Sequence, residues 1–336
     1  MSTVTVARGL QTGSDERSMT YDELDATASM SFKEANVLYD SQFMRMKALE
    51  PGAVSHDFPI FGETPEDADH HVPGQFVEGG TITNDMVNVS LDDPLIKALR
   101  LPFVDQAISK WDLVKPYVKE CVRKISEKVD KRGFVVLGLA ARTAAVSNVH
   151  LGGTVVSRTG AASLAAHYPV SDTGADNFCS DLSDMARKFD EKSVPKDGRF
   201  VFVHPYLKQV LTRSKRITNR DYAGSGGTPS VDINTRVVGI VEGFNLIETL
   251  HLPSTNITTD LSKYNGNFLI SGTGQPAAMC LYNGNEKGPI GCVNIGGLTT
   301  RVVWDENREC WLAKAKILCG LGKVETWCAG EIRIGT

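Results

Sequence analysis

Residues 112–145 constrain this chain more than any other stretch, because their apolar positions recur at the three-and-four spacing of one helical face. That face is made by Val118, Cys121, Val122, Ile125, Val129, Val136 and Ala140. Asp112 suits an N-cap, and Pro116 still falls in the first turn, where a missing N–H matters least. Unbroken, the helix would span on the order of 50 Å at ~1.5 Å per residue, longer than a small domain is wide. One compact core cannot wrap it. Its other face carries Lys115, Lys119, Arg123, Lys124, Lys128, Lys131 and Arg132, a basic row that calls for bulk water or an acidic partner. Gly133 and Gly138 each cost ~1 kcal/mol relative to Ala inside such a helix. Either the helix ends at Gly133 as a left-handed cap, with residues 134–139 a strand, or it continues and Gly133 is a hinge candidate.

A chain of 336 residues has room for two or three domains. A formal charge of −4 and a pI near 6.0 argue against broad neutralisation of nucleic acid. Seven cysteines, at 121, 179, 280, 292, 310, 319 and 328, form no CxxC pair, so free thiols in a reducing compartment are expected, without a zinc site or disulfide framework. Neither a signal-peptide pattern nor an apolar run of ~18 residues is present, so the chain is expected to be cytoplasmic when made.

Residues 1–19 are polar and aperiodic, which reads as a flexible or partner-ordered arm. Thr20 with Glu23 fits a capping box, and Leu24, Phe32, Val37, Leu38 and Met44 predict one or two helices up to residue 49, ended by Pro51-Gly52. From 53 to 96 the chemistry changes: nine acidic residues and not one Lys or Arg. Pro59, Pro65, Pro73 and four glycines exclude a helix, while Phe58, Ile60, Ile82, Val87 and Val89 suit strands. The segment reads as a long two-stranded excursion, and such a ribbon is marginal in water unless it lies on a surface. Residues 150–171, rich in Gly, Ala and Ser, are expected to be irregular. Phe178, Leu182, Met185, Ala186 and Phe189 then mark an amphipathic helix, followed by a Pro195–Gly198 turn, a buried strand at 199–203 and a helix with Leu207, Val210 and Leu211 inside. A basic loop at 212–233 leads to strands at 236–240 and 244–249 around Glu242-Gly243. Short strands follow at 268–270, 278–281, 291–293 and 300–304, and 310–334 reads as a strand pair bent at Gly320 and Gly322.

Few motifs carry chemistry. Residues 272–277, Gly-Thr-Gly-Gln-Pro-Ala, have the spacing of a dinucleotide fingerprint, but no strand-helix-strand unit surrounds them. His56, His70 and His71 sit among carboxylates without a spacing that builds a coordination face, so no metal or cofactor is assigned. A nucleophile elbow, a P-loop and an HExxH helix are all missing, which shifts the weight toward a structural role.

The order of parts is then informative: arm, acidic hairpin opening at Phe58-Pro59-Ile60-Phe61-Gly62, long helix, mixed α/β unit. In this order, and in three stretches, the chain resembles the major capsid protein of short-tailed, podovirus-type bacteriophages with the Hong Kong 97-type fold. Residues 53–62 with Ile82-Thr83 resemble the family's extended loop and its return strand; 186–211, ARKFDEKSVPKDGRFVFVHPYLKQVL, its helix-turn-strand-helix; and 313–334 its C-terminal strands. The resemblance implies an α+β chain divided into an N-terminal arm (1–51), extended loop (52–98), peripheral domain with a long spine helix (99–149), axial domain (150–295) and C-terminal strands returning to the peripheral domain (296–336). It favours a helix continuous through Gly133, bending when a shell matures. It implies hexamers and pentamers closing an icosahedral shell around double-stranded DNA, with scaffolding and portal proteins as further partners, assembled in the host bacterial cytoplasm and ending in the virion. No isopeptide pair is assigned. The acidic hairpin, with Asp57, Phe58, Glu63, Glu66, Asp67, Asp69 and Glu78, is expected to lie on a neighbour's basic surface, drawn from Lys119, Arg123 and Lys124 or from Arg213, Lys215 and Arg216. The alternative is a cytosolic α/β enzyme that binds a nucleotide at 272–277.

Overall fold

The computed structural model describes residues 32, 36–62, 70, 74, 76, 82–108, 114–146, 151–159, 163–213, 231–232, 237–258, 266–284 and 287–335. Among the described residues the strands are β1 Arg45–Ala48, β2 Ser55–Phe61, β3 Asn84–Ser90, β4 Leu95–Pro102, β5 Thr154–Arg158, β6 Arg199–Val203, β7 Val231–Asp232, β8 Val237–Val238, β9 Ile240–Val241, β10 Phe244–Glu248, β11 Gln275–Tyr282, β12 Ile290–Asp305, β13 Cys310–Lys323 and β14 Ala329–Ile334. The helices are α1 Phe103–Ile108, α2 Val114–Arg142, α3 Leu164–His167, α4 Asp172–Glu191 and α5 Pro205–Arg213.

α2 is continuous over 29 residues, ~43 Å at the usual rise. It passes through Gly133 and Gly138 without a cap, because both glycines keep helical backbone and the apolar face resumes in phase beyond them. Val118, Cys121, Val122, Ile125, Val129, Val136 and Ala140 are all buried, as their spacing predicts. Truncating one of the larger ones to Ala would cost ~2–5 kcal/mol. The helix is long because it serves two sheets. Its first half lies on a four-stranded sheet of order β1-β12-β13-β4, where Cys121 Sγ reaches Ala313 O at 3.7 Å. Its second half lies on a six-stranded sheet of order β5-β14-β11-β6-β10-β9, where Phe134 and Phe202 meet edge to face at 5.2 Å. In the last turn Arg142 donates Nε and Nη2 to the buried Glu331 at 2.6 and 2.7 Å, and its charge also suits the negative end of the helix.

β6 is buried along its whole length because both faces of the six-stranded sheet are covered. Phe200 and Phe202 join the core under α2, while Val201 and Val203 join a second core under α4 and α5, with Phe178, Leu182, Met185, Phe189, Leu207 and Leu211. Ser171 caps α4 by accepting from Gly174 N, as a serine at that position should. Glu242 and Gly243, both at positive φ, turn β9 back antiparallel onto β10.

Several expectations are corrected. Residues 36–44 are turns, and 45–48 form a strand where a helix was expected, because parallel pairing with β12 from Arg45↔Gly291 to Ala48↔Asn294 outcompetes local propensity. The stretch expected to be irregular contains β5, whose β-branched Thr-Val-Val run pairs parallel with β14. The expected strands at 291–293 and 300–304 are one strand, β12, running through an irregularity between Asn294 and Leu298. β13 runs unbroken through Gly320 and Gly322. They let another segment cross it: a Cβ at Gly322 would fall 2.7 Å from Val89 Cγ2, and one at Gly320 would collide with the Ser90 carbonyl. The expected single C-terminal unit is divided, since β12 and β13 lie in one sheet and β14 in the other. Residues 95–98, read as part of the excursion, already belong to β4.

Candidate assembly surfaces

The acidic excursion forms the predicted hairpin. β2 and β3 pair antiparallel from Ser55↔Ser90 to Phe61↔Asn84, so alternate residues face opposite sides. One side, with Phe58, Ile60 and Val89, packs on Val293 and Val324 of its own chain. Phe58, expected at an inter-subunit contact, is therefore buried within its own subunit, under the Arg45 guanidinium at 5.2 Å. The other side is open. Phe61 is 70% and Met86 67% exposed there, beside Asp57, which accepts from Asn88 Nδ2 at 2.6 Å. Glu63, Glu66, Asp67, Asp69 and Glu78 lie outside the described residues, as do Lys215 and Arg216.

Two members of the basic row of α2, Arg123 and Lys124, are answered by its own carboxylates. Arg123 bonds Glu120 at 2.7 and 2.8 Å and also reaches Glu127, and Lys124 reaches Glu127 at 3.2 Å. Arg123 holds the Glu120 carboxyl below its ordinary range. These i,i+3 and i,i+4 pairs are exposed and screened by water, so they support the helix only weakly. Lys119 is exposed on the same helix, and Arg213 is the exposed last residue of α5.

A second basic surface escaped the sequence reading. Cross-strand register places Arg301 opposite Lys314 and Lys314 opposite Ala98; Thr299, Lys316 and Ile96 form the next row, and Val303, Leu312 and Arg100 the third. Residues in register share a face, and this one is turned away from α2, because the alternate residues Ala313, Ala315 and Ile317 point into the core. The nine positions hold four cations and no carboxylate. Among the described residues, none of Arg100, Arg301, Lys314 and Lys316 has an ion-pair or hydrogen-bond partner. No local signal could have found the whole cluster, since Arg100 lies some 200 positions from Arg301, Lys314 and Lys316 and only strand pairing joins it to them.

Buried polar groups hold the parts in place. Asp130 on α2 accepts from the backbone N–H groups of Val37 at 2.7 Å and Leu38 at 3.2 Å, and faces His251 Nδ1 at 3.1 Å. It thereby fixes the segment that leads out of the arm. Lys192, at the end of α4, donates to Gly152 O, Gly153 O and Thr154 Oγ1 at 2.6, 2.9 and 2.8 Å, and burial pushes its pKa down. Arg132 pairs with Asp92, which ties the return from the hairpin to the spine.

The loop at 272–277 does not form a nucleotide site. It turns directly into β11, Gln275–Tyr282, and β11 is followed by another strand, so no helix N-terminus is presented to a pyrophosphate. Among the described residues, no three His, Cys, Asp or Glu side chains converge as a metal site, and no helix is long and apolar enough to cross a membrane.

No family model matches the sequence, and no curated protein matches it. Solved structures do. A chain of the capsid structure of the cyanophage P-SCSP1u superposes with a TM-score of 0.71 at 21% identity, covering 89% of this chain and 88% of that one. A chain from the asymmetric unit of the bacteriophage PhiM1 mature capsid gives 0.69 at 13% identity over 89% and 87%. The virus-like particle from Pyrococcus furiosus gives 0.53 at 9% identity over 94% and 99%. The spine helix laid across two sheets, with a hairpin springing from one of them, is therefore the α+β fold of phage capsid shell proteins.

Proposed function

We propose that this chain is the structural subunit of a phage shell, a major capsid protein of the podovirus-type, Hong Kong 97-like kind, and that it has no catalytic role. The observation that carries this reading is the end-to-end likeness to the P-SCSP1u capsid chain, which spans nearly the whole of both chains. Subunits associate as hexamers and pentamers, and the closed shell encloses double-stranded DNA. Scaffolding and portal proteins are its partners during assembly in the host cytoplasm, and the finished chain resides in the virion. On this reading α2 and the four-stranded sheet are the peripheral part, the six-stranded sheet is the axial part, and Gly133 is where the spine bends on maturation. An unaccompanied hairpin that exposes Phe61 and Met86 supports a chain completed by neighbours, so that association adds to its folding free energy.

Size-exclusion chromatography with negative-stain microscopy tests the reading. Closed shells, hexamers or curved sheets are expected. A discrete monomer or dimer under all conditions would overturn it. Deleting residues 1–35 should leave a soluble subunit with intact secondary structure that assembles poorly.

A further inference from the structure

β1 keeps one edge open. It is the terminal strand of the four-stranded sheet, so it pairs with β12 on one side and, among the described residues, with no strand on the other. Leu49 N donates to Asn294 O, and a parallel ladder alternates. Arg45 and Lys47 therefore direct their backbone groups toward β12, while Met46 and Ala48 direct theirs outward. β2 follows after a short turn, yet it pairs with β3 and not with β1. A cleft of about 690 Å³ lies there, lined from the two strands. Residues 44–47 line it consecutively, and since neighbouring side chains point to opposite faces, the cleft meets the edge of the strand. Asn283 Nδ2 braces this wall by donating to Ser41 O and Gln42 O at 3.1 and 2.8 Å, so the edge is held in place before anything binds.

Unpaired N–H and C=O groups on an edge recruit another extended segment unless something blunts them. The edge of β2 is blunted. Val54 O accepts from Leu91 N, alternation turns positions 57, 59 and 61 outward, and Pro59 has no N–H to give. β1 instead selects its partner by charge. Arg45 and Lys47 repel a second copy of the same strand and attract an acidic one. Among the described residues, His56 joins these two cations in lining the cleft and no carboxylate does. Arg45 Nη1 is buried without a hydrogen bond, with Glu325 Oε1 3.5 Å away. Arg45 and Lys47 share one face of β1 and Met44 and Met46 the other, and the buried Phe58 and Phe200 add apolar lining. An extended peptide that alternates acidic and apolar residues continues both faces while its backbone pairs with β1. Stretches of this chain do not fit that description. β2 and β3 are already paired with each other, residues 1–19 are aperiodic, and Thr20 with Glu23 opens a helical pattern. We infer that the open edge of β1 is a docking site for an acidic, extended segment of a different protein, added as a fifth strand to the four-stranded sheet. The inference goes beyond the shell reading and does not depend on it, because one subunit supplies the whole cleft.

The test uses the full-length chain and three capped, fluorescein-labelled octapeptides. The first alternates Asp with Val, the second has Lys in place of every Asp, and the third has Pro at the two central positions of the first. By fluorescence anisotropy the acidic peptide should bind about tenfold or more tightly than either of the others, and more weakly as salt is raised. Hydrogen exchange at the amides of Met46 and Ala48 should be fast in the free chain and slow by about tenfold or more when the acidic peptide is bound. Lys47 is exposed, so its replacement spares the core. Lys47→Glu should weaken the acidic peptide by about fivefold or more and strengthen the Lys peptide. Equal binding of the acidic and Lys peptides would overturn the choice of partner, and equal binding of the Pro peptide would overturn strand addition. Slow exchange at Met46 and Ala48 in the free chain would show the edge to be covered by this chain itself and would end the proposal. Shell formation is read separately by microscopy. A chain that binds the acidic peptide but never assembles would remove the shell reading and keep the docking site.

Discussion

Gly133→Ala distinguishes two reasons for a glycine inside the spine helix. On helix propensity alone the alanine stabilises by ~1 kcal/mol. In the folded chain, however, a Cβ at 133 would lie 2.6 Å from Leu38 Cδ2 and 2.9 Å from Met44 Cε. Carbon atoms pack at ~3.5–4.0 Å, so the segment leading out of the arm must move by roughly 1 Å. Leu38 and Met44 are both almost wholly buried, at 0% and 1% exposure, so neither can swing into solvent. Overpacking of this kind costs ~1–3 kcal/mol, and subtracting the propensity gain leaves a net destabilisation of ~0–2 kcal/mol. At ~2–4 °C per kcal/mol the unfolding temperature of the unassembled subunit should fall by up to several degrees. Differential scanning calorimetry on Gly133→Ala, Leu38→Ala and the double variant gives the coupling, which should be favourable by ~1 kcal/mol because the added methyl enters the space vacated by leucine. A rise in unfolding temperature for Gly133→Ala alone would refute close packing as the reason for this glycine and leave bending as the better account.

Asp130→Ala removes the acceptor for Val37 N, Leu38 N and His251, and should cost ~3 kcal/mol; native-state hydrogen exchange at residues 37 and 38 should accelerate, and unchanged exchange there would contradict the anchoring role. Burial raises the Glu325 pKa above its ordinary 4.5, the opposing pull of Arg45 notwithstanding. A carboxyl with a raised folded pKa contributes most below its unfolded pKa and loses that contribution as pH climbs through the folded value, so Glu325→Gln should flatten the fall in stability on going from pH ~4.5 upward. A pH profile identical to wild type would show that Glu325 is not the group responsible. Burial also pushes up the thiols of Cys121, Cys280, Cys292, Cys319 and Cys328, while Cys179 is the one cysteine that is not buried, so a thiol reagent at pH 8 should modify Cys179 first and the others only on unfolding. Rapid native labelling of Cys292 or Cys319, read by mass spectrometry, would contradict the packing of β12 on β13.

What the sequence determined by itself was the set of elements whose information is local. The spine helix announces itself because its apolar positions recur at spacings of three, four and seven, and α4, β6 and α5 do so through the switch from a period of 3.6 to one of 2 around Pro195 and Gly198. The hairpin was legible from composition, since prolines and glycines forbid a helix and its β-branched residues fall on two arms of similar length. Pairing was not legible, because it is decided between distant segments. β1 looked helical until β12, about 245 residues later, offered it a ladder, and β5 hid in a small-residue stretch until β14 paired with it. Gly320 and Gly322 looked like a bend, yet their smallness serves the crossing of the chain at Val89 and Ser90, a contact no local pattern encodes. The same holds for charge: the basic row on α2 was visible along the chain, and its Arg123 and Lys124 turned out to be answered within the helix, whereas the cations at 100, 301, 314 and 316 became neighbours only when three strands took their register. Helical neighbours are set by sequence spacing, and sheet neighbours by a tertiary choice among many possible partners.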